Sequence, residues 1–266
     1  MTWRWAYILS IFIWSSAFAQ ELPIDNRTLI SEDVLSTAID PLHQIYYINK
    51  DRQVVKVSNT QNRDYSYSNL MIDDNTSIHV QNAFKVALYK MNVGDFLMLD
   101  NRLNLTAQTN FFDLGYFAVS ATAVSTDNKY IWLFDQDMQR LIKLDQKFKE
   151  VYRSNNLTQA IDQSIQPEQI IEKKNKLYLL DKEKGVYIFD NVGNYIKRYP
   201  IEHADKIWLI SNQLYFYRTG QLWLYDHLLF EEIPQYSLPH YTSIDLCKDF
   251  ILGITQDGKL YKYLWK

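Results

Sequence analysis

The stretch Tyr130–Arg153, YIWLFDQDMQRLIKLDQKFKEVYR, decides the fold. An apolar run, Ile131–Phe134, stops at Asp135, and a polar turn follows. A second run, Leu141–Leu144, stops at Asp145, and a polar segment from Phe148 to Arg153 ends the unit. The stretch Leu177–Tyr199, LYLLDKEKGVYIFDNVGNYIKRY, repeats this plan. Runs of four or five residues bounded by Asp, Asn, Gly and Lys are too short for helices and are rich in strand formers. They are apolar throughout instead of alternating, so the sheets they form are covered on both faces.

Working outward, six copies align. Their first runs are Ile45–Ile48, Val86–Tyr89, Ile131–Phe134, Leu177–Leu180, Leu214–Tyr217 and Ile251–Ile254, a period of about 41 residues. The second runs are VVKV, FLML, LIKL, VYIF, LWLY and LYKY, and four of them end in Asp100, Asp145, Asp190 and Asp226. Asp after a strand suits a turn, because its carboxylate accepts from backbone N–H groups two residues on. A period near 40 with strands covered on both faces predicts an all-β, six-bladed β-propeller with about four strands per blade. A sandwich would leave one face of each strand in water and show alternation. The aromatic content of 15% suits the wedge-shaped gaps between blades.

Inner strands are expected at Ser36–Ile39 and Ala118–Val124. The last repeat, Tyr241–Lys266, runs out of chain after three strands. The segment Arg27–Leu35 is therefore expected to supply its outer strand and close the ring beside Lys259–Tyr263, removing an exposed edge. Two connections are long. Phe111–Thr126 is apolar and aromatic at its start, and Ser154–Gln169 is polar, stops at Pro167, and is expected to be a surface insertion with a short helical turn.

The N-terminus has the pattern of a secretory signal peptide. Arg4 precedes an apolar stretch, Ala6–Trp14, and Ala17-Phe18-Ala19 precedes Gln20. The stretch is short of the roughly 20 residues needed to span a bilayer. The expected division is residues 1–19 as signal peptide and 20–266 as propeller, exported to the periplasm, the outer membrane or beyond. No Cys near the cut invites lipid attachment, and no later stretch is long enough to span. Cys247, the only cysteine, permits no intrachain disulfide and is expected buried on an inner strand. The net charge of −3 argues against nucleic acid as a partner.

The unit Val186–Tyr199, VYIFDNVGNYIKRY, and the stretch Ile131–Arg153 resemble NHL-type propeller repeats. The whole resembles NHL/TolB-like secreted six-bladed propellers of Bacteroidetes-type bacteria, and no Gly-His…Trp-Asp pattern of the WD40 type occurs. Some six-bladed propellers are enzymes. Lactonase-like members hold a divalent metal in the central channel with Glu, Asn and Asp, and amidating-lyase-like members use His. The five His here, His43, His79, His203, His227 and His240, show no metal-ligand spacing, and only His43 and His79 fall near inner strands. There is no G-x-S-x-G elbow, and seven Gly leave little room for a phosphate-cradling loop. Tyr46, Trp132, Tyr178 and Tyr215 share one repeat position, which predicts inter-blade packing instead of a stacking platform. Asn-x-Ser/Thr triplets at Asn26, Asn75, Asn104 and Asn156 carry no weight in a bacterial protein.

The residues thus nominate no catalytic, cofactor-binding or metal-ligating side chain. The expected function is a non-enzymatic exported scaffold that binds a protein or polymer of the cell envelope. The alternative is a metal-dependent channel hydrolase or lyase of the lactonase type.

Overall fold

A computed structural model describes residues 20–21, 27–57 and 64–265. Residues 1–19, on which the signal-peptide reading falls, lie outside the described residues. The chain begins with β1 (Gln20–Glu21) and β2 (Arg27–Ser31). Blade 1 is β3 (Val34–Ile39), β4 (Ile45–Asn49), β5 (Gln53–Lys56) and β6 (Tyr65–Ser68). Blade 2 is β7 (Thr76–Asn82), β8 (Lys85–Lys90), β9 (Asp95–Asp100) and β10 (Leu105–Asn110). Blade 3 is β11 (Val119–Val124), β12 (Tyr130–Asp135), β13 (Arg140–Asp145) and β14 (Glu150–Arg153). After the one-turn helix α1 (Thr158–Ile161), blade 4 is β15 (Gln169–Lys173), β16 (Lys176–Asp181), β17 (Gly185–Asp190) and β18 (Tyr195–Tyr199). Blade 5 is β19 (Lys206–Ile210), β20 (Gln213–Arg218), β21 (Gln221–Asp226) and β22 (Glu231–Ser237). Blade 6 is β23 (Ser243–Leu246), β24 (Phe250–Ile254) and β25 (Leu260–Leu264), completed by β2. The chain is a six-bladed β-propeller.

The ring closes where the sequence predicts. Strand β2 runs antiparallel to β25, with Arg27 opposite Tyr263 and Ser31 opposite Leu260. The Arg27 guanidinium lies 4.5 Å from the centre of the Tyr261 ring. The closing segment is shorter than expected. Asp33 turns the chain with φ 55°, Val34 N–H donates to Gly258 O at 2.9 Å, and Val34 and Leu35 already belong to inner strand β3. Strand β1 was not foreseen. It pairs in parallel with β22, Gln20 opposite Tyr236, as a fifth strand of blade 5.

The middle strands are buried along their apolar runs because the neighbouring blades cover both faces. Ile131, Trp132, Leu133 and Phe134 are each at most 1% exposed. Trp132 and Tyr46 are wholly packed between blades, and Tyr178 and Tyr215 pack partly buried against the next blade. The four Asp residues make the turns assigned to them. Asp100 Oδ1 accepts from Arg102 N (2.8 Å) and Asn104 N (2.9 Å), and Asp190 Oδ1 accepts from Val192 N (3.0 Å) and Asn194 N (2.8 Å). Asp145 and Asp226 accept in the same way.

Two expectations need correction. The connection Ser154–Gln169 carries the helical turn but is not a surface insertion. Leu157 and Ile165 are buried in the core between blades 3 and 4, and Gln139 holds both Ile165 N (2.7 Å) and Ile165 O (2.9 Å). Cys247 is buried, but it lies one residue past β23, in a turn closed by its own N–H on Phe250 O at 3.0 Å.

Gly185 opens β17 at φ 98°, and a Cβ there would stand 2.3 Å from Tyr199 O. Both the dihedral and the backbone contact exclude a side chain. Gly185→Ala is expected to cost at least ~2 kcal/mol in chemical denaturation. An unchanged denaturation midpoint would show that β17 and β18 separate without cost.

Candidate functional site: the central channel and one rim

All six inner strands run the same way along the axis, so each face of the disc collects one set of loops. A cavity of about 640 Å³ runs down the axis. It is lined from β3, β7, β15, β19 and β23 and by the loops that follow them, but by no residue of β11. Strand β11, VSATAV, is built of small residues and is buried throughout. Gln81 Nε2, on β7, donates to Ile170 O on β15 at 2.6 Å, which links blades 2 and 4 past the recessed blade 3.

Several polar side chains of the channel tie blades together. Gln169 clasps Ile207, accepting from its N–H at 3.0 Å and donating to its C=O at 3.1 Å. Lys173 Nζ donates to Leu209 O, and Lys206 Nζ donates to Ile244 O at 2.9 Å. Asp245 accepts from Ile39 N (2.9 Å) and Trp208 Nε1 (2.5 Å), with Lys206 Nζ 3.5 Å away. Glu172 accepts from Thr126 N and Trp132 Nε1, both at 3.2 Å. Asp40 accepts from Leu42 N and Gln44 N, and burial nevertheless raises its pKa. Burial likewise lowers that of Lys173, with Lys174 adding to it.

His43 and His79, which the sequence sets near inner strands, both line the channel. His43 Nδ1 is 2.6 Å from Asp249 Oδ2 at the mouth. His79 Nε2 faces Ser77 Oγ (3.0 Å) and Thr122 Oγ1 (3.4 Å), and its pKa falls to about 4, first through desolvation and then through the Lys206 charge. His203, His227 and His240 are not among the channel-lining residues. Among the described residues no three His, Cys, Asp or Glu side chains converge to hold a metal.

A neutral His79 has a consequence for stability. Its folded-state pKa lies below the unfolded value near 6.5, so the unfolded chain binds the extra proton between those values. The protein should therefore lose stability as pH falls from 6.5 to 4. His79→Gln should flatten that part of the curve. An identical pH profile in the variant would place the sensitivity elsewhere.

A second feature lies on the face that carries the turns between second and third strands and the connections between blades. There Leu70, Met91, Val93, Leu114, Phe117 and Met138 are all exposed, Leu70 at 84% and Phe117 at 69%. They come from neighbouring connections of blades 1 to 3, and short contacts hold those connections together. Arg52 Nη1 donates to Leu70 O at 3.3 Å, and Lys90 pairs with Asp73 at 2.5 Å. Asn110 Nδ2 donates to Val93 O at 2.8 Å, and Phe111 N to Gly94 O at 2.8 Å. A Cβ on Gly94 would meet the Phe112 ring at 2.7 Å, so the bare backbone there lets Phe112 settle on the turn. Phe117 packs on Phe112 with ring centres 6.1 Å apart. The sequence shows Phe111–Phe117 as an apolar connection, but it does not show which of its aromatics face water.

Beside this rim a cleft of about 430 Å³ is lined by Asn69, Met71, Asp95, Gln108, Asn110 and Asp113, with Phe96, Leu97 and Thr109 completing it. It has two carboxylates and no basic side chain. On the opposite face the largest exposed apolar group is one turn, Leu228–Phe230, flanked by Asp226 and Glu231.

No known protein family matches the chain, and no curated protein matches it. Solved structures do. A catalytically inactive virginiamycin B lyase from Staphylococcus aureus with quinupristin is 9% identical, with a TM-score of 0.62 over 90% of this chain and 98% of that one. BamB from Moraxella catarrhalis is 11% identical, with a TM-score of 0.51 over 88% of this chain and 83% of that one. The β-propeller domain of Myceliophteria thermophila Cps50 (Swd1) is 8% identical, with a TM-score of 0.59 over 88% and 83%. These likenesses show the fold. They range from a lyase to BamB and the Cps50 propeller domain, so the site and not the fold must carry the function.

Proposed function

We propose that this propeller is an exported, non-catalytic scaffold that docks a partner of the cell envelope on the rim of blades 1 to 3. The observation that carries the reading is the exposed apolar cluster of Leu70, Met91, Val93, Leu114 and Phe117. Exposed apolar groups gathered from separate loops mark contact surfaces, whereas scattered ones do not. The apolar chemistry favours a protein over a polysaccharide or other polar polymer. The channel supports the same reading, since Asp245, Glu172, Lys173 and Lys206 are engaged across blade boundaries. Export rests on the leader-like sequence before Gln20. Among the described residues no helix is long and apolar enough to cross a membrane.

The test is cross-linking in envelope extracts with the wild-type protein and two variants. Phe117→Glu should abolish capture of the partner at unchanged melting temperature, while His79→Gln in the channel should leave capture intact. The opposite pattern would move the site to the axis and overturn the reading.

A further inference from the structure

The apolar rim does not stand alone. Its neighbour, the cleft between the blade 1–2 connection and the end of blade 2, places the Asp95 and Asp113 carboxylates at the edge of the cluster. Asp95 accepts from Asn110 Nδ2 at 2.8 Å, and it has no ion pair among the described residues. Asp113 is exposed and likewise has no ion pair among them. Asp51, Asp74 and Asp137 stand exposed on the same loops. Of the cations at this rim, Lys90 is matched by Asp73, Lys50 by Asp33 and Arg153 by Glu150, whose charge also acts on Arg140.

We infer that the rim binds a segment of a partner protein that carries apolar side chains beside a Lys or Arg, with the apolar groups on Phe117, Leu114 and Leu70 and the cation in the Asp95/Asp113 cleft. This rests on the scaffold reading above and adds the chemistry of the partner. Apolar contact supplies the area removed from water, and it is non-directional. The two carboxylates supply the selection, because an apolar segment with acidic flanks would bring like charges together at the cleft. A cation that leaves bulk water to sit between two carboxylates is matched there, where a neutral side chain would leave both unpaired. The Leu228–Phe230 turn has acidic neighbours too, but it offers one hairpin tip and no adjoining cleft, so it gives a partner neither area nor register.

The experiment selects a random-peptide library displayed on phage against the wild-type protein, then measures the enriched peptides by fluorescence anisotropy on variants whose melting temperature is unchanged. The expected peptides combine Leu, Ile or Phe with Lys or Arg. They should lose at least ~30-fold in affinity on Phe117→Glu and on Asp113→Lys. They should also weaken with added salt, since the pairing charges lie within reach of solvent. Peptides that are acidic or uncharged yet depend on Phe117 would overturn this inference and leave the rim as a docking site. Peptides indifferent to both Phe117 and Asp113, or none enriched over the library, would sink the inference and the scaffold reading together.

Discussion

Deletion of residues 21–31 should lower the melting temperature by on the order of 10 °C or abolish soluble expression. Strand β2 forms four register pairs with β25, and the ladder bonds they carry contribute about 1 kcal/mol each. For a chain of this size each kcal/mol moves the midpoint by roughly 2–4 °C. The loss also has a structural multiplier. Without β2 the edge of β25 is bare, and blade 6 is held to blade 1 by side-chain packing and by contacts such as Ile39 N on Asp245. The deletion spares Val34 and Leu35, which pack in β3, so the effect reads the seam together with the two-residue β1 and not the inner strand. Retention of the full melting temperature would mean that the ring holds without its closing strand. Differential scanning calorimetry on the purified proteins decides.

Trp132→Ala should cost about 3–5 kcal/mol, as for other wholly buried aromatics. Trp132 is 0% exposed, lies edge-on to Tyr152 at 6.5 Å, and carries the Lys143 ammonium 4.3 Å above its ring. It also donates to Glu172, so truncation opens a cavity and takes a donor from a channel-facing carboxylate. Trp132→Phe separates these effects. It keeps most of the volume, so it should recover more than half of the lost stability, and what remains measures the hydrogen bond. A chemical denaturation midpoint unmoved by the alanine variant would contradict the packing between blades 3 and 4.

Much of this architecture is legible before any coordinates, for a physical reason. A middle strand of a blade is covered on both sides, so it must be apolar at every position, and runs such as IWLF and VYIF stand out from their polar turns. The Asp residues mark turns because their carboxylates bond locally, which needs no knowledge of distant chain. The seam was legible by counting strands. What escaped depends on the third dimension. Strand β1 pairs through its backbone, and Gln20-Glu21 has no apolar signature. The connection Phe111–Phe117 puts Phe111 in the core, Phe112 against Gly94 and Phe117 in water, and one string of apolar letters cannot sort these fates. The acidic cleft joins Asn69 and Met71 to Asp95 and Asp113, residues from two blades that meet only in the folded ring. Leu157 and Ile165 were hidden for the opposite reason, because a polar segment conceals two core residues.

The seam also dictates an order of events. Strand β2 precedes β3 to β24 in the chain, and its partner β25 follows them. Blades 1 to 4 and the four main strands of blade 5 are each contiguous in sequence and can assemble as they emerge, but blade 6 waits for β25. Contacts this far apart in sequence are slow to form, since the loop they close contains all the other blades. Until β25 is made, Arg27–Ser31 has no strand to pair with, and a chain that stops short of Leu260 is left with an open ring.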